Sequence, residues 1–169
     1  MVDKEWKDIF ENQFNRSVGY EITYLTFLFA EYDGKREPCF AWMKTSDNVW
    51  HRFFIDVWMP HWEDLDSGEA KEWLGGLIEY QNIEEYIEED LEEYEEDLNE
   101  VAYKWSRVNS VKRFNLSNKK LLNAETKYFE VNGLWCTQLK IDIEGNNEII
   151  WNEYADKKDE ELICNGIKI

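Results

Sequence analysis

The dipeptide Asn132-Gly133, with an alternating segment after it, restricts the fold of this chain more than any other local feature. Both residue types accept the positive φ angles that a type I′ turn requires. From Trp135 to Ile143, every second residue is apolar or Thr, which is the period of a strand with one buried face. Residues 127–143 are therefore predicted to form a β-hairpin. Gly145 then turns the chain into a further strand, 148–154.

The first sixty residues predict a helix followed by an antiparallel meander. Apolar residues recur at helical spacing over 3–16. Aromatic and β-branched residues then dominate three segments separated by turn residues, a pattern typical of strands. The predicted strands are 20–32, 39–45 and 49–58, and Pro60 is expected to end the third.

A long amphipathic helix is predicted over about 83–105, because apolar residues recur there at spacings of three and four without Gly or Pro. A shorter helix is predicted over 68–80. An irregular, polar and basic connection that contains one short strand is predicted over about 106–126. Residues 162–169 are expected to add a short edge strand or to fray. The sequence thus predicts one α+β domain, 1–169, with a mainly antiparallel sheet, or two smaller ones, and helices packed on one face.

The chain is strongly acidic, with a net charge of −18 and a pI near 4.4. Eleven acidic residues and no Lys or Arg lie between Glu84 and Glu100. This charge argues against direct binding to nucleic acids or to an anionic membrane, which relies on Lys and Arg. It favours a basic protein partner, because complementary potentials speed association. A solvated face that only maintains solubility is the competing interpretation. Imitation of DNA phosphates is a special case of binding to a basic partner.

The predicted partner-binding residues lie on the outer face of the long helix and in the loop around Pro60, where aromatic residues have an acidic rim. They are Glu85, Glu88, Glu89, Glu92, Glu93, Glu95 and Glu96 on the helix, and Trp58, Trp62, Glu63, Asp64 and Asp66 in the loop.

Residues 101–128 have a local net charge of +6. This stretch either folds back onto the acidic helix and neutralises part of it or forms a separate contact surface.

For catalysis the residues are few, and no catalytic residue, metal site or cofactor is predicted. A metal site would need His51, His61 and either Glu63 or Asp64 to converge, and their spacing matches no established ligand pattern. A small metal-dependent hydrolase is accordingly the weakest functional alternative. Three widely spaced cysteines suggest reduced thiols in a cytoplasmic protein, and Met1 to Trp6 do not resemble a signal peptide.

The segment from Trp135 to Gly145, followed by the aromatic and acidic strand 148–154 and Asp156, resembles the C-terminal hairpin of YezG-like immunity proteins. The resemblance covers about a quarter of the chain, and the strands between Tyr20 and Trp58 are loosely similar to the family's first sheet. It implies a cytoplasmic antidote that binds a cognate bacterial toxin, often a nuclease. The Glu-rich helix and the basic stretch after it depart from the family's pattern.

The expected function is therefore inhibition of a basic partner protein by an acidic immunity protein. The alternative is a phage-encoded DNA mimic that inhibits a host defence nuclease, of the anti-restriction or anti-CRISPR type.

Overall fold

The computed structural model of the chain describes residues 4–32, 34–56, 59–64, 104–155 and 159–169. Within these ranges the strands form two five-stranded antiparallel sheets, accompanied by two helices. In chain order the elements are α1 (Lys4–Asn15), β1 (Ile22–Tyr32), β2 (Lys35–Thr45), β3 (Trp50–Asp56), β4 (Met59–Asp64), β5 (Lys104–Asn109), α2 (Ser110–Arg113), β6 (Leu121–Val131), β7 (Leu134–Ile143), β8 (Asn147–Tyr154), β9 (Asp159–Cys164) and β10 (Ile167–Lys168).

The first sheet has the strand order β4-β3-β2-β1-β5. The predicted meander is confirmed, since β1 pairs with β2 and β2 with β3. The predicted end of the third strand is wrong. β3 ends at Asp56, and Pro60 pairs with Ile55 from the next strand, β4. β4 is an edge strand, where a residue without a backbone N–H is tolerated.

The second sheet has the order β10-β9-β8-β7-β6. The hairpin predicted around Asn132-Gly133 is confirmed: Asn132 has φ 51° and Gly133 has φ 80°, and Val131 pairs with Leu134. Positive φ at both central residues is the type I′ arrangement, whose twist matches that of the strands. The predicted strand 148–154 is also confirmed as β8, and the C-terminal tail supplies β9 and β10.

The α+β prediction is wrong, because the described residues are almost entirely strands. Among them the longest helix is α1, with 12 residues. It contacts the edge strands β4 and β6 and does not cover one face of a single sheet. The predicted helix 68–80 and most of the predicted helix 83–105 lie outside the described residues. At the end of that second range, however, Lys104 and Trp105 begin strand β5.

The misassignment at residues 104–126 has a physical cause. The helical spacing of apolar residues continues to Trp105, but β1 offers a line of backbone hydrogen bonds, and β5 pairs with it from Glu31–Lys104 to Thr26–Asn109. The predicted irregular connection, which was expected to contain one short strand, contains the end of β5, α2 and the first half of β6. Pairing with a neighbouring strand outweighs the weak local preferences of Ser and Asn.

The hydrophobic core lies between the two sheets, with α1 closing one side. Phe10 and Phe14 of α1 pack against Phe53 of β3, with ring centroids 6.5 and 5.1 Å away. Trp151 of β8 packs across the sandwich on Phe27 at 6.0 Å and on Phe53 at 6.3 Å. Each such fully buried side chain contributes about 1.5–3 kcal/mol. The helix is therefore held by the same core that joins the sheets.

The outer face of the first sheet is also buried at its centre. Leu25, Phe27 and Phe29 of β1 belong to the core between the sheets, yet the residues between them are equally inaccessible. These buried outer-face residues are Thr26, Leu28, Ala30 and, on β2, Trp42.

Candidate partner-binding surface

Most of the predicted partner-binding residues lie outside the described residues, and their role remains a prediction. This holds for Trp58, for Asp66 and for the seven glutamates between 85 and 96. The other three belong to β4, which replaces the predicted loop. They are Trp62, Glu63 and Asp64.

The register of β4 separates these three residues. Trp62 is paired with Phe53 and Asp64 with His51, both buried residues of β3, whereas Glu63 is paired with Arg52. Successive residues of a strand belong to opposite faces of its sheet. Trp62 and Asp64 therefore occupy positions on the core-facing side of the sheet, and Glu63 occupies a position on the other side.

The same register separates the two histidines. His51 is paired with Asp64, while His61 is paired with Phe54, so the two histidine positions belong to opposite faces of the sheet. Among the residues that the structure describes, no three His, Cys, Asp or Glu side chains form a group able to hold a metal ion.

His51 belongs instead to a buried polar network that sequence reasoning missed. Its Nε2 lies 2.9 Å from the Ser17 hydroxyl, and both residues are 0% exposed. The Thr45 hydroxyl donates to Asp47 Oδ1 at 2.6 Å, and Ser17 donates to Asp47 Oδ2 at 3.3 Å. With His51 Nε2–H donating to Ser17, every hydroxyl proton has one acceptor and the carboxylate receives two bonds.

This network links the end of α1 to the turn between β2 and β3. A serine beside a histidine is also the start of a nucleophile–base pair. Here, however, the carboxylate of Asp47 bonds to Ser17 and Thr45, and Ser17 has no exposed surface on which a substrate could be attacked. The arrangement is suited to holding the helix end in place.

A groove of about 480 Å³ opens at the end of the sandwich where the β1–β2 and β6–β7 hairpins meet. We call it the hairpin-end groove. Its lining residues are Lys35, Arg36 and Glu37 from the first hairpin, Val131, Asn132 and Leu134 from the second, and Tyr154, Glu160, Glu161 and Lys168. Three cations and three carboxylates balance each other in this lining.

Hydrogen bonds across three strands fix one wall of the groove. Gln138 donates to Asn152 at 2.9 Å, Asn152 donates to Glu161 at 2.9 Å, and the Tyr154 hydroxyl donates to the same Glu161 oxygen at 3.0 Å. Burial, and then the hydrogen bond to Glu161, raise the pKa of Tyr154 to about 12. The phenol therefore keeps its proton and its hydrogen bond to higher pH than an ordinary tyrosine does.

Exposed apolar side chains surround the tip of the β6–β7 hairpin. Trp135 is 48% exposed and Val131 is 38% exposed. By contrast, Trp42 and Trp151 are buried. Because Trp is enriched among the residues that dominate binding energy at protein interfaces, the exposed Trp135 is suited to contact with a partner.

The sequence predicted that Trp135 lies on the same face of its strand as Leu139 and Ile141, and this prediction is confirmed. At the hairpin end of β7, however, that face extends beyond the core, and Trp135 is exposed. Its position two residues after the Asn132-Gly133 turn was the available signal, because the first residue or two of a hairpin strand often lie past the packed centre of a sheet.

The basic stretch that follows residue 103 is largely on the surface. Lys112, Arg113, Lys120 and Lys127 are exposed, and Lys127 forms an ion pair at 2.9 Å with Glu125 of its own strand. Lys112 and Arg113 belong to α2, Lys120 to the loop after α2, and Lys127 to β6.

Comparison with known protein families, with curated proteins and with solved structures found no match to this chain. Within the described part of the chain, no helix is both long and apolar enough to span a membrane.

Proposed function

We propose that this protein binds a basic protein partner and blocks its activity, as an immunity protein does with a cognate toxin such as a nuclease. The observation that carries the proposal is the uneven distribution of charge. Residues 65–103 contain fifteen acidic residues and a single basic one, Lys71, and so hold −14 of the net −18. The remaining 130 residues, which include both sheets, carry only −4.

This segregation favours a binding role over a general solubility role. Solubility needs net charge but no concentration of it. A concentrated field of one sign attracts an oppositely charged protein over a Debye length of about 8–10 Å and raises its association rate. The nearly neutral sandwich supplies the short-range contact, for which the exposed Trp135 is suited.

Two further observations support an intracellular inhibitor. The strand-forming segment after Trp135 resembles the C-terminal hairpin of YezG-like immunity proteins. Cys39, Cys136 and Cys164 are unbonded thiols, as expected in a reducing cytoplasm.

The test is charge reversal inside the acidic segment against the same reversal elsewhere. The triple variant Glu88→Lys, Glu92→Lys, Glu95→Lys and the control Asp8→Lys, Glu21→Lys, Glu144→Lys change the net charge equally. Partners captured from a native-host lysate with the wild-type protein are purified and titrated with all three proteins, and their enzymatic activity is followed. We expect the first variant to lose at least tenfold in affinity and inhibition, with the control within about twofold.

Equal effects of the two triples would mean that only overall charge matters, and the proposal would be abandoned. Competition by duplex DNA for the same partner, with a steep loss of affinity between 50 and 200 mM salt, would assign the DNA-mimic form of inhibition. Unaltered binding in the presence of excess duplex DNA would mean that the protein binds the toxin on a surface away from its nucleic-acid cleft.

A further inference from the structure

Strand β6 lies at the edge of the second sheet, and among the described strands its neighbour is β7 alone. An edge strand presents a row of backbone N–H and C=O groups to any other strand that approaches. At the start of β6 these outward groups belong to Leu121, whose C=O and N–H already bond to Gly19 and Tyr20. After the irregularity between Leu121 and Asn123 they belong to the even-numbered residues, because Ala124 and Thr126 bond to α1 while the strand pairs with β7 on its other side.

Asn15 imitates a strand residue at this edge. Its side-chain Nδ2 donates to the carbonyl oxygen of Ala124 at 2.9 Å, and the Ala124 N–H donates to Asn15 Oδ1 at 2.9 Å. In an antiparallel ladder, two opposed residues exchange this same pair of bonds. The carboxamide thus occupies the place of the residue that a further strand would put opposite Ala124.

Glu11 occupies the next place along the edge. Its Oε1 accepts the Thr126 N–H at 2.7 Å. Four residues of a helix advance by about 6 Å, and two residues of a strand by about 6.8 Å. Side chains at i and i+4 of α1 therefore meet alternate residues of β6 in step, and the helix runs antiparallel to the strand.

We propose that Glu11 and Asn15 close a strand-pairing edge on β6, and that the strand they exclude is β6 of a second copy of this chain. Antiparallel pairing of residues 124–128 from two β6 strands, about a two-fold axis at Thr126, places Glu125 of each copy opposite Lys127 of the other. Both side chains point away from the core and have opposite charges, and they form an ion pair within the strand. The edge is therefore self-complementary in both hydrogen bonding and charge.

The first experiment compares Glu11→Ala/Asn15→Ala with Asp8→Ala/Asn12→Ala. The control pair has the same i,i+4 spacing on the exposed side of the same helix. At low concentration, we expect the amide hydrogens of Ala124 and Thr126 to exchange at least about tenfold faster in the first variant. Phe10 and Phe14 still hold α1 against the core in this variant, so pairing with a second copy requires the helix to move off the edge. At higher concentration, where pairing offsets this cost, its mass should rise to twice 20.5 kDa, with both amides protected again. The control should keep a single-chain mass and wild-type exchange.

A single-chain mass at every concentration, with rapid exchange at both amides, would overturn the proposal. If the double variant does not fold, Asn15→Asp replaces it: the carboxylate still accepts the Ala124 N–H but repels the Ala124 carbonyl. A second copy should then replace the lost bond.

A charge exchange identifies the pairing strand. Adding Lys127→Glu to the Glu11→Ala/Asn15→Ala variant places like charges opposite each other, and the mass should return to that of one chain. Adding Glu125→Lys as well restores the opposition and the doubled mass. A dimer indifferent to both changes would use another surface and would contradict the proposal.

Discussion

The two sheets bury their strands in different ways. At the centre of the first sheet, both faces of β1 are inaccessible from Leu25 to Ala30. In the second sheet, Leu139, Ile141 and Ile143 of β7 are buried, and the residues between them are half-exposed. The first arrangement produces a continuous apolar run in the sequence and the second an alternating one.

This difference determines what stabilises each outer face. The outer face of the first sheet depends on packing of side chains such as Trp42 and Leu28. On the second sheet, the corresponding surface holds hydrogen bonds among Gln138, Asn152 and Glu161. It also holds an ion pair between Lys140 and Asp142. Substitutions on the two outer faces should therefore differ in size and in their dependence on pH.

The largest effect is expected for Trp42→Ala, compared with Ile150→Ala on the outer face of the second sheet. Trp42 is 0% exposed, and its truncation should lower the free energy of unfolding by about 3–5 kcal/mol. Ile150 is half-exposed, and its truncation should cost about 1 kcal/mol. Urea denaturation followed by Trp fluorescence and circular dichroism measures both. Equal losses would remove the distinction between the two faces.

A smaller effect, confined to alkaline pH, is expected for Tyr154→Phe. The pKa of Tyr154 is raised from 10.0 to about 12. Between these values the unfolded chain has lost the phenolic proton and the folded chain has kept it, so the free energy of unfolding falls as pH rises. Phe at this position should make the fall between pH 10 and 12 shallower, at a cost of about 1 kcal/mol at neutral pH.

Tyr20→Phe, at an exposed tyrosine, is the control for this measurement. Burial also raises the pKa of Cys39 to about 12 and the pKa values of Cys136 and Cys164 to about 11, so the thiols contribute to the slope that remains. A slope identical in Tyr154→Phe and the wild type would show that the Tyr154–Glu161 hydrogen bond does not affect stability.

The smallest effect is expected for Lys140→Met. Lys140 lies 3.1 Å from Asp142 and 3.6 Å from Glu148 on the solvated side of the second sheet. Exposed ion pairs of this kind contribute about 0–1 kcal/mol and are screened by salt. For the variant, urea denaturation in low and in high salt should therefore give nearly the same free energy of unfolding. A loss above 2 kcal/mol would mean that this face is far less hydrated than its exposure indicates.

The alternating sheet was the easier one to predict from sequence. The Asn132-Gly133 turn and the period of β7 specify the hairpin locally, and the structure has both. In the first sheet, the meander was predicted because each turn carries polar residues or glycine. The pairing of β5 with β1 was missed because Trp105 continues a helical pattern, and the sequence does not reveal that β1 has an open side.

The features of the candidate site divide in the same way. Trp135 was visible as a strand residue, but its exposure depends on where the core ends. The Ser17–His51 contact spans 34 residues and joins elements with no common local pattern. Contacts of this kind depend on how the elements pack against one another. The periodicity of apolar residues predicts only the local structure of each element.

The contact between Asn15 and Ala124 also imposes an order on biosynthesis. The two residues are 109 positions apart, and at 5–20 residues per second a ribosome needs on the order of 5–20 s to add the second after the first. For most of this interval the described strands available to α1 are β1 to β4 of the first sheet, on which it docks through Phe53. The N-terminal helix is thus among the first elements to be made and among the last to reach its final surroundings.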